Sequence, residues 1–283
     1  MATAVAFEKD YTDVLPSLNI AANLLDDLIA RFGASKAITR PNLADIAPGL
    51  SLATDINNAG GGNPALDPFR SKNLDLSLEW YFNEFGSLTG AAFWKDFDSY
   101  ETTATTLIDV PGSKFGSYNL TSVVNGGTAK LTGAEIGYQQ RLGFLPGLLD
   151  GLGIEASYTR VWQDSSFTTG NRQVTDSLIG VSPSSYNVVG FYEKAAFAAR
   201  VGYFWRNHYL ARLGPSNGTD EIFDSFGSLD GSISYTVSPH FTVTAEALNM
   251  LDSSVFTYAS VKSRPQEIFH YGRTVTLGVM ARF

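Results

Sequence analysis

The chain of 283 residues contains no cysteine, which excludes a disulfide-stapled scaffold and any thiolate metal site. Charged residues are also scarce, at 17% against roughly 25% in soluble domains. No apolar run reaches the roughly 18 residues that a transmembrane helix needs. The net charge of −8 disfavours nucleic acid as a partner. The first ten residues lack a basic segment followed by an apolar one, so no signal peptide is predicted here.

The hydrophobic residues, 44% of the chain, are spread out at every second position. Near the end of the chain, Val275, Leu277 and Val279 alternate with small or polar residues. The same alternation recurs in Leu74–Trp80, Leu152–Trp162, Phe197–Trp205, Leu229–Tyr235 and Phe241–Ala247. A period of two predicts strands with one apolar and one polar face, and no comparable helical pattern competes with it. We therefore predict an all-β fold.

Eleven strands are predicted from this alternation. They cover residues 14–24, 27–38, 67–82, 87–100, 128–142, 152–164, 185–193, 196–209, 226–237, 240–250 and 272–283. Most of them match or exceed the nine to eleven residues, roughly, that cross a bilayer as a tilted strand.

The connections alternate in length, which is informative about the class of sheet. The long ones cover 39–66, 101–127, 165–184, 210–225 and 251–271, and every other connection is short. An antiparallel meander would place all short turns at one end and all long loops at the other, as in outer-membrane β-barrels. Six aromatic residues near strand ends fit the interfacial girdles of such barrels. They are Trp80, Trp94, Trp162, Trp205, Tyr158 and Tyr235.

An odd number of strands does not fit a single-chain bacterial barrel, in which the strand number is even. An open sheet in hydrocarbon would also leave backbone groups unpaired at both edges. Either residues 1–11 contain a further strand, or the chain is the C-terminal half of a larger barrel. We favour the second interpretation, because residues 1–11 have room only for a short charged segment.

The sequence resembles the C-terminal half of the β-barrel of TonB-dependent outer-membrane receptors. The resemblance is carried, in order, by Leu15–Asn19, Ala34–Gly49, Gly62–Tyr81, Val124–Glu135, Ala247–Asp252 and Gly272–Phe283. It implies an antiparallel transmembrane barrel of 22 strands, of which this chain supplies about eleven. It also implies that residues 1–283 are the C-terminal part of the barrel, without the plug domain, the TonB box and the signal peptide. The segments Thr39–Leu43 and Gly62–Leu66 resemble a subgroup often tied to carbohydrate uptake.

The resemblance implies a function in energy-coupled uptake of a bulky nutrient, of the oligosaccharide or ferric siderophore type, across the outer membrane of a Gram-negative bacterium. The implied partners are outer-membrane lipid, the barrel-assembly machinery, the TonB energy-coupling complex and the small-molecule or oligosaccharide ligand. Phe283, with Val279 and Leu277 on one face, resembles the signal that the assembly machinery reads. The substrate-binding residues stay unknown. The alternative function is a passive porin-type channel, and a barrel phospholipase or a soluble β-rich binding module ranks lower.

Several local patterns resemble sites of chemistry. Gly60–Gly62 is followed by no Lys-Ser/Thr pair, which favours a flexible loop over a phosphate cradle. His208, His240 and His270 are separate in sequence, and Asp220, Glu221 and Asp224 are expected to form a solvated acidic loop. We therefore predict no catalytic residues, no metal site and no cofactor, and no enzymatic activity. A further set of charged residues is expected to face the lumen: Asp75, Glu79, Glu155, Arg200, Arg206 and Glu246.

Overall fold

The computed structural model describes residues 6–169, 172–175, 177–214 and 218–283. Its elements are β1 (Ser17–Leu25), β2 (Leu28–Thr39), α1 (Leu43–Ile46), β3 (Leu50–Leu52), β4 (Asn58–Gly61), β5 (Phe69–Asn83), β6 (Gly86–Asp109), β7 (Ser117–Arg141), a 3-10 turn (Gly147–Gly151), β8 (Leu152–Thr169), β9 (Arg172–Thr175), β10 (Ser184–Lys194), β11 (Phe197–Arg206), β12 (Tyr209–Arg212), β13 (Glu221–Phe223), β14 (Phe226–Ser238), β15 (Phe241–Leu248), β16 (Ser254–Ala259), β17 (Pro265–His270) and β18 (Thr274–Ala281).

Eleven of these strands form one continuous antiparallel meander, which confirms the predicted fold class. Their order is β1-β2-β5-β6-β7-β8-β10-β11-β14-β15-β18. Among the described residues, β1 pairs only with β2 and β18 only with β15, so the sheet has two open edges and does not close into a barrel. No helix in the described part of the chain is long and apolar enough to cross a membrane.

The two ends of this sheet differ as the sequence predicts. Short turns join β1 to β2, β5 to β6, β7 to β8, β10 to β11, and β14 to β15. We call this end the short-turn rim and the opposite end, where the longer connections lie, the long-loop rim. Both β1 and β18 run towards the short-turn rim, because an odd number of antiparallel strands leaves the first and last strand parallel in direction.

The strand pairing sorts the side chains into an apolar and a polar face, since directly paired residues point to the same side. One row across the apolar face reads Ala22, Ala30, Leu78, Gly90, Ile136, Tyr158, Tyr186 and Trp205. All six aromatic residues expected in girdles lie on this face, which stays open in the isolated chain: Leu277 is 78% exposed. The apolar side chains of this face are therefore not explained by packing in a core within the chain.

On the polar face, two phenylalanine rings lie over glycines of the neighbouring strand. Phe93 is paired with Gly133 and Phe191 with Gly153. A Cβ added to either glycine would lie 2.1 Å from Cζ of the phenylalanine. Only glycine leaves room for a ring at these positions. Each phenylalanine ring therefore shields the backbone of the glycine opposite it, which has no side chain of its own.

The structure differs from the sequence expectation mainly at the long-loop rim. Residues 101–127 were expected to be a loop, but β6 continues to Asp109 and β7 begins at Ser117, so they form an extended hairpin. The hairpin carries threonines at 102, 103, 105 and 106, which favour strands without showing apolar alternation. The other expected loops contain β3, β4 and β9, and a separate sheet of order β12-β13-β16-β17. Gly60 and Gly61 lie in β4 rather than in a flexible loop.

Candidate functional site

Ordered structure at the long-loop rim forms the first part of the candidate site. We call it the outer lobe: residues 40–68 together with residues 100–126 of the β6–β7 hairpin. Strand β4 pairs in parallel with β7, Asn58 opposite Asn119. Tyr118 is fully buried here, with 2% of its surface exposed, and Leu66 is buried as well. The buried side chains of this lobe give the long loop 40–68 a defined structure.

One carboxylate of the outer lobe, that of Glu101, has a perturbed pKa. Burial raises the pKa of Glu101 above its ordinary value of 4.5, and the negative charge of Asp45 raises it further. Glu101 lies in β6 beyond the main sheet, and Asp45 lies in α1. Protonation of Glu101 therefore favours the packed form of the lobe.

The second part of the site is an aromatic cluster around a guanidinium at the long-loop rim. Arg206 ends β11, and its Cζ lies 4.7 Å from the ring centre of Tyr209, 4.3 Å from that of Phe223 and 6.0 Å from that of Phe226. Tyr209 and Phe223 stack at 5.4 Å. Within the described residues, Nη1 of Arg206 is buried without a hydrogen-bond partner. Cation–π attraction offsets part of the cost of this arrangement.

The acidic loop residues near this cluster are held individually rather than gathered around a cation. Glu221 pairs with Arg212 at 2.9 Å, and Asp224 pairs with Lys262 at 2.8 Å. The Asp220 carboxylate accepts a hydrogen bond from the Gly214 amide at 3.0 Å. The hydrogen bond to Asp224 raises the pKa of Lys262. No group of three or more His, Cys, Asp and Glu suited to a metal occurs in the described residues.

A polar cavity of about 410 Å³ separates β9 from β12 and β13. Gln163, His208 and Asp220 contribute to its lining. The amide of Gln163 organises one wall, because its Nε2 donates to the Val181 carbonyl at 3.1 Å and its Oε1 accepts from the Leu178 amide at 2.8 Å. The cavity thus brings hydrogen-bonding side chains of three separate segments together.

The three histidines lie at three different places in the structure. His208 lines the polar cavity, and His240 lies at the short-turn rim, with Nδ1 2.9 Å from the Arg282 carbonyl oxygen. His270 ends β17, and its Nδ1 lies 2.5 Å from Oγ of Ser254. This Ser–His pair is exposed, and none of the described residues contributes a carboxylate hydrogen bond to it.

The polar face of the main sheet is the third part of the site. All six charged residues that were expected to face a lumen lie on it. Arg31 binds Glu79 at 2.7 Å, Lys95 lies 4.0 Å from Asp75, and Arg200 binds Glu155. In the described part of the chain, Glu135 and Glu246 form no ion pair and are exposed. The polar face of the main sheet thus carries both ion pairs and exposed carboxylates.

The residues predicted as an assembly signal lie at the open β18 edge. Leu277 and Val279 are 78% and 71% exposed on the apolar face, and Phe283 is 99% exposed. The Phe283 ring lies 6.1 Å from that of Phe241, edge to face, and 6.5 Å from that of His240. Their recognition by an assembly factor stays a prediction.

The segment Ala247–Asp252, one of those that carry the family resemblance, has a structural role around Asn249. Asn249 has φ of 52°, a left-handed conformation that asparagine tolerates. Its Nδ2 donates to the carbonyls of Ser253 at 2.9 Å and Gly272 at 3.0 Å, and its Oδ1 accepts from the Ser253 amide at 2.8 Å. Asn249 therefore ties the end of β15 to the start of β18.

The fold is shared with solved structures of much longer proteins. A mutant of the ferric enterobactin receptor (PfeA) from Pseudomonas aeruginosa superposes with a TM-score of 0.69 at 16% identity, over 95% of this chain and 40% of that one. The siderophore receptor PirA from Acinetobacter baumannii gives 0.68 at 15% identity, over 95% and 41%. The FrpB iron transporter from Neisseria meningitidis gives 0.63 at 15% identity, over 96% and 39%. The chain thus spans about 40% of the length of such structures.

No curated protein sequence matches the chain. A family model described as "TonB dependent receptor-like, beta-barrel" matches residues 2–250, which is most of the chain. This match and the eleven-stranded meander agree with each other and with the resemblance noted from the sequence. Proteins of this family are outer-membrane receptors of Gram-negative bacteria. The chain belongs to the TonB-dependent receptor β-barrel family.

Proposed function

We propose that the chain is the C-terminal part of the barrel of an outer-membrane receptor that takes up a ferric siderophore with energy supplied through TonB. The observation that carries the proposal is the family match over residues 2–250. The similar structures named as siderophore receptors or iron transporters support a siderophore over an oligosaccharide as the ligand. The ligand would first meet the outer lobe, the aromatic cluster and the polar cavity.

The open edges support the further proposal that preceding strands complete the barrel. Both β1 and β18 run towards the short-turn rim, so antiparallel closure requires neighbours that run towards the long-loop rim at both edges. An odd number of additional strands meets this requirement. Added to the eleven strands of this sheet, it gives an even number of strands in the closed barrel, as in bacterial barrels. A second copy of this chain would instead form a parallel pair at each seam.

The proposed location in the outer membrane is supported by the exposed apolar face. Leu277, Val279 and their counterparts on other strands remain open in the chain, and in water such a surface would aggregate. The proposed partners are outer-membrane lipid, the assembly machinery that reads the Phe283 strand, and TonB for the complete receptor. The exposed carboxylates Glu135 and Glu246 would face the plug or the passing ligand. A transporter of this kind performs no catalysis.

Uptake of alternative ligands tests the proposal. Cells that produce the complete protein, and cells lacking its gene, are given a radiolabelled ferric catecholate complex or a labelled maltodextrin. We expect gene-dependent, saturable accumulation of the ferric complex and none of the maltodextrin. Gene-dependent uptake of maltodextrin alone would replace the siderophore with an oligosaccharide. Non-saturable entry of small solutes of both kinds would favour the porin-type channel.

A further inference from the structure

One stretch of the apolar face carries a row of charges where its neighbours carry leucine and tryptophan. Strand pairing places Lys36, Lys72, Asp96, Lys130 and Asp164 side by side across β2, β5, β6, β7 and β8. The next row towards the short-turn rim is Ala34, Leu74, Trp94, Thr132 and Trp162. Asp96 and Asp164 change to Trp94 and Trp162 in one step, and Lys72 changes to Leu74, which marks a boundary between a polar and an apolar environment.

The lysines of this row are only partly neutralised. Lys72 lies 3.7 Å from Asp96 and 3.6 Å from Asp98. Lys36 and Lys130 are exposed, and neither forms an ion pair with any described residue. Adjacent strands lie about 5 Å apart, so the three lysines fall within roughly 15 Å of one another. Asp96 and Asp164 flank Lys130 in register, so the row holds three lysines and two aspartates, and Lys36 and Lys130 are its lysines without an ion pair to a described residue.

A groove opens on the same strands, closer to the short-turn rim. It encloses about 790 Å³, and its lining includes Leu76, Leu78, Leu88, Gly90, Ala92 and Ile136. Gly90 and Ala92 form the base of the groove, because they are smaller than the leucine and isoleucine side chains around them. A Cβ on Gly90 would meet no atom within 4 Å, so the space above this glycine is open. Lys72 and Leu76 are four residues apart in β5, about 13 Å along the strand.

We propose that the apolar face of β2, β5, β6 and β7 binds one phosphate-bearing membrane lipid. Its phosphate would lie on Lys36, Lys72 and Lys130, and one acyl chain would fill the groove over Gly90 and Ala92. The inference rests on the proposed placement of this face in the membrane. Two independent features, a pair of lysines without an ion pair to a described residue and an apolar groove closer to the short-turn rim, match the two ends of one amphiphile. A purely apolar protein partner would leave Lys36 and Lys130 without an ion-pair partner.

Lipid retention measures the proposal directly. The complete barrel that contains this chain is extracted in dodecyl maltoside, given equal amounts of phosphatidylglycerol and phosphatidylcholine, and examined by native mass spectrometry. We expect one phosphatidylglycerol to be retained in preference to phosphatidylcholine. The double variant Lys36→Gln/Lys130→Gln should lower that retention about tenfold to thirtyfold, from the attraction of two cations to an anionic headgroup.

Matched controls separate the two halves of the site. Lys114→Gln/Lys194→Gln makes the same change in net charge, at the hairpin tip and at the short-turn rim, and should leave retention unchanged. A Cβ at Gly90 or at Gly143 meets no atom within 4 Å. Gly90→Leu places a side chain in the groove and should lower retention of both lipids, while Gly143→Leu, outside the groove, should not. Heat-modifiable mobility on gels confirms that each variant is folded.

Other outcomes would overturn the inference. If inorganic phosphate displaces the bound lipid and Gly90→Leu has no effect, the lysines form a simple anion site. A native mass of twice the barrel that is lost in Gly90→Leu would assign the groove to a second copy. Ligand uptake is measured separately, so a barrel that retains the lipid but imports no ferric complex would refute the proposed function and leave this site standing.

Discussion

Asn125 and Asp67 exchange two hydrogen bonds between the side chain of one residue and the backbone of the other. The Asp67 amide donates to Oδ1 of Asn125 at 2.7 Å, and Nδ2 of Asn125 donates to the Asp67 carbonyl at 3.0 Å. The side-chain amide thus imitates a strand neighbour and attaches the end of loop 40–68 to β7. This attachment lies next to Pro68 and Leu66, which are buried in the outer lobe.

Asn125→Ala should loosen loop 40–68 without unfolding the barrel. It leaves two partly buried backbone groups unpaired, at a cost of about 1–3 kcal/mol. Amide hydrogen exchange should accelerate within residues 40–68 and stay unchanged in β14 and β15. Asn119→Ala, on the same strand, is the control, because none of the described hydrogen bonds uses its side chain. Equal exchange in the two variants would contradict the attachment.

Leu277→Arg should destabilise the barrel by about 2–4 kcal/mol if the apolar face of β18 meets the centre of the bilayer. The control is Thr276→Arg, one residue away on the polar face, where Glu246 lies opposite. It should change stability by less than about 1 kcal/mol, as expected for an exposed ion pair. Urea unfolding of the complete barrel in lipid vesicles measures both. Similar values for the two variants would be inconsistent with a lipid-facing Leu277.

The outer lobe should be more stable in acid than at neutral pH, because of Glu101. Its folded-state pKa is raised above 4.5 by burial first and by Asp45 second, so folding favours the protonated form. The stabilisation is therefore complete below about pH 4.5 and is lost as the pH rises through the raised pKa.

Glu101→Gln should remove this dependence and protect the lobe at neutral pH. The rate of limited proteolysis within residues 100–126, measured between pH 4 and 7, reports the stability of the lobe. Glu84→Gln at the short-turn rim is the control for the change in charge. An unchanged pH profile in Glu101→Gln would assign the effect to another group.

Gly153→Ala should strain the polar face beneath the Phe191 ring. The new methyl would lie 2.1 Å from Cζ of Phe191, so the ring must move, at a cost of about 1–3 kcal/mol. The ring also faces Arg200 at 5.9 Å, and movement would disturb the Arg200–Glu155 pair. Gly143→Ala, in open space, is the control for the loss of glycine flexibility. Gly153→Ala combined with Phe191→Leu should recover most of the loss, and failure to do so would exclude the ring as the cause.

The main sheet could be predicted from the sequence because its signal is local. Period-two alternation located all eleven strands of the meander, and pairing placed Asp75, Glu155 and Glu246 on the polar face as expected. Strands of a transmembrane barrel need this alternation, because the side chains that face lipid must be apolar along the membrane-spanning length. The ends of the strands were less accurate, because β6 and β7 continue past the apolar pattern into a threonine-rich hairpin.

The candidate site at the long-loop rim could not be predicted, since its contacts join distant segments. Arg206 was expected only as a lumen charge, and nothing near it in sequence indicates that Phe223 covers its guanidinium. The Asn125–Asp67 exchange joins residues 58 positions apart. The one local signal was the Gly62–Tyr81 segment, whose residues Asn63 and Asp67 do attach the loop to β7.

The energy dependence of uptake tests the central proposal most directly. Cells producing the complete protein take up a radiolabelled ferric catecholate complex with and without a protonophore that collapses the inner-membrane proton gradient. We predict that the protonophore abolishes gene-dependent accumulation while surface binding of the complex persists, as expected for a TonB-coupled receptor. Gene-dependent entry that continues unchanged after the gradient collapses would contradict the account and indicate a passive channel.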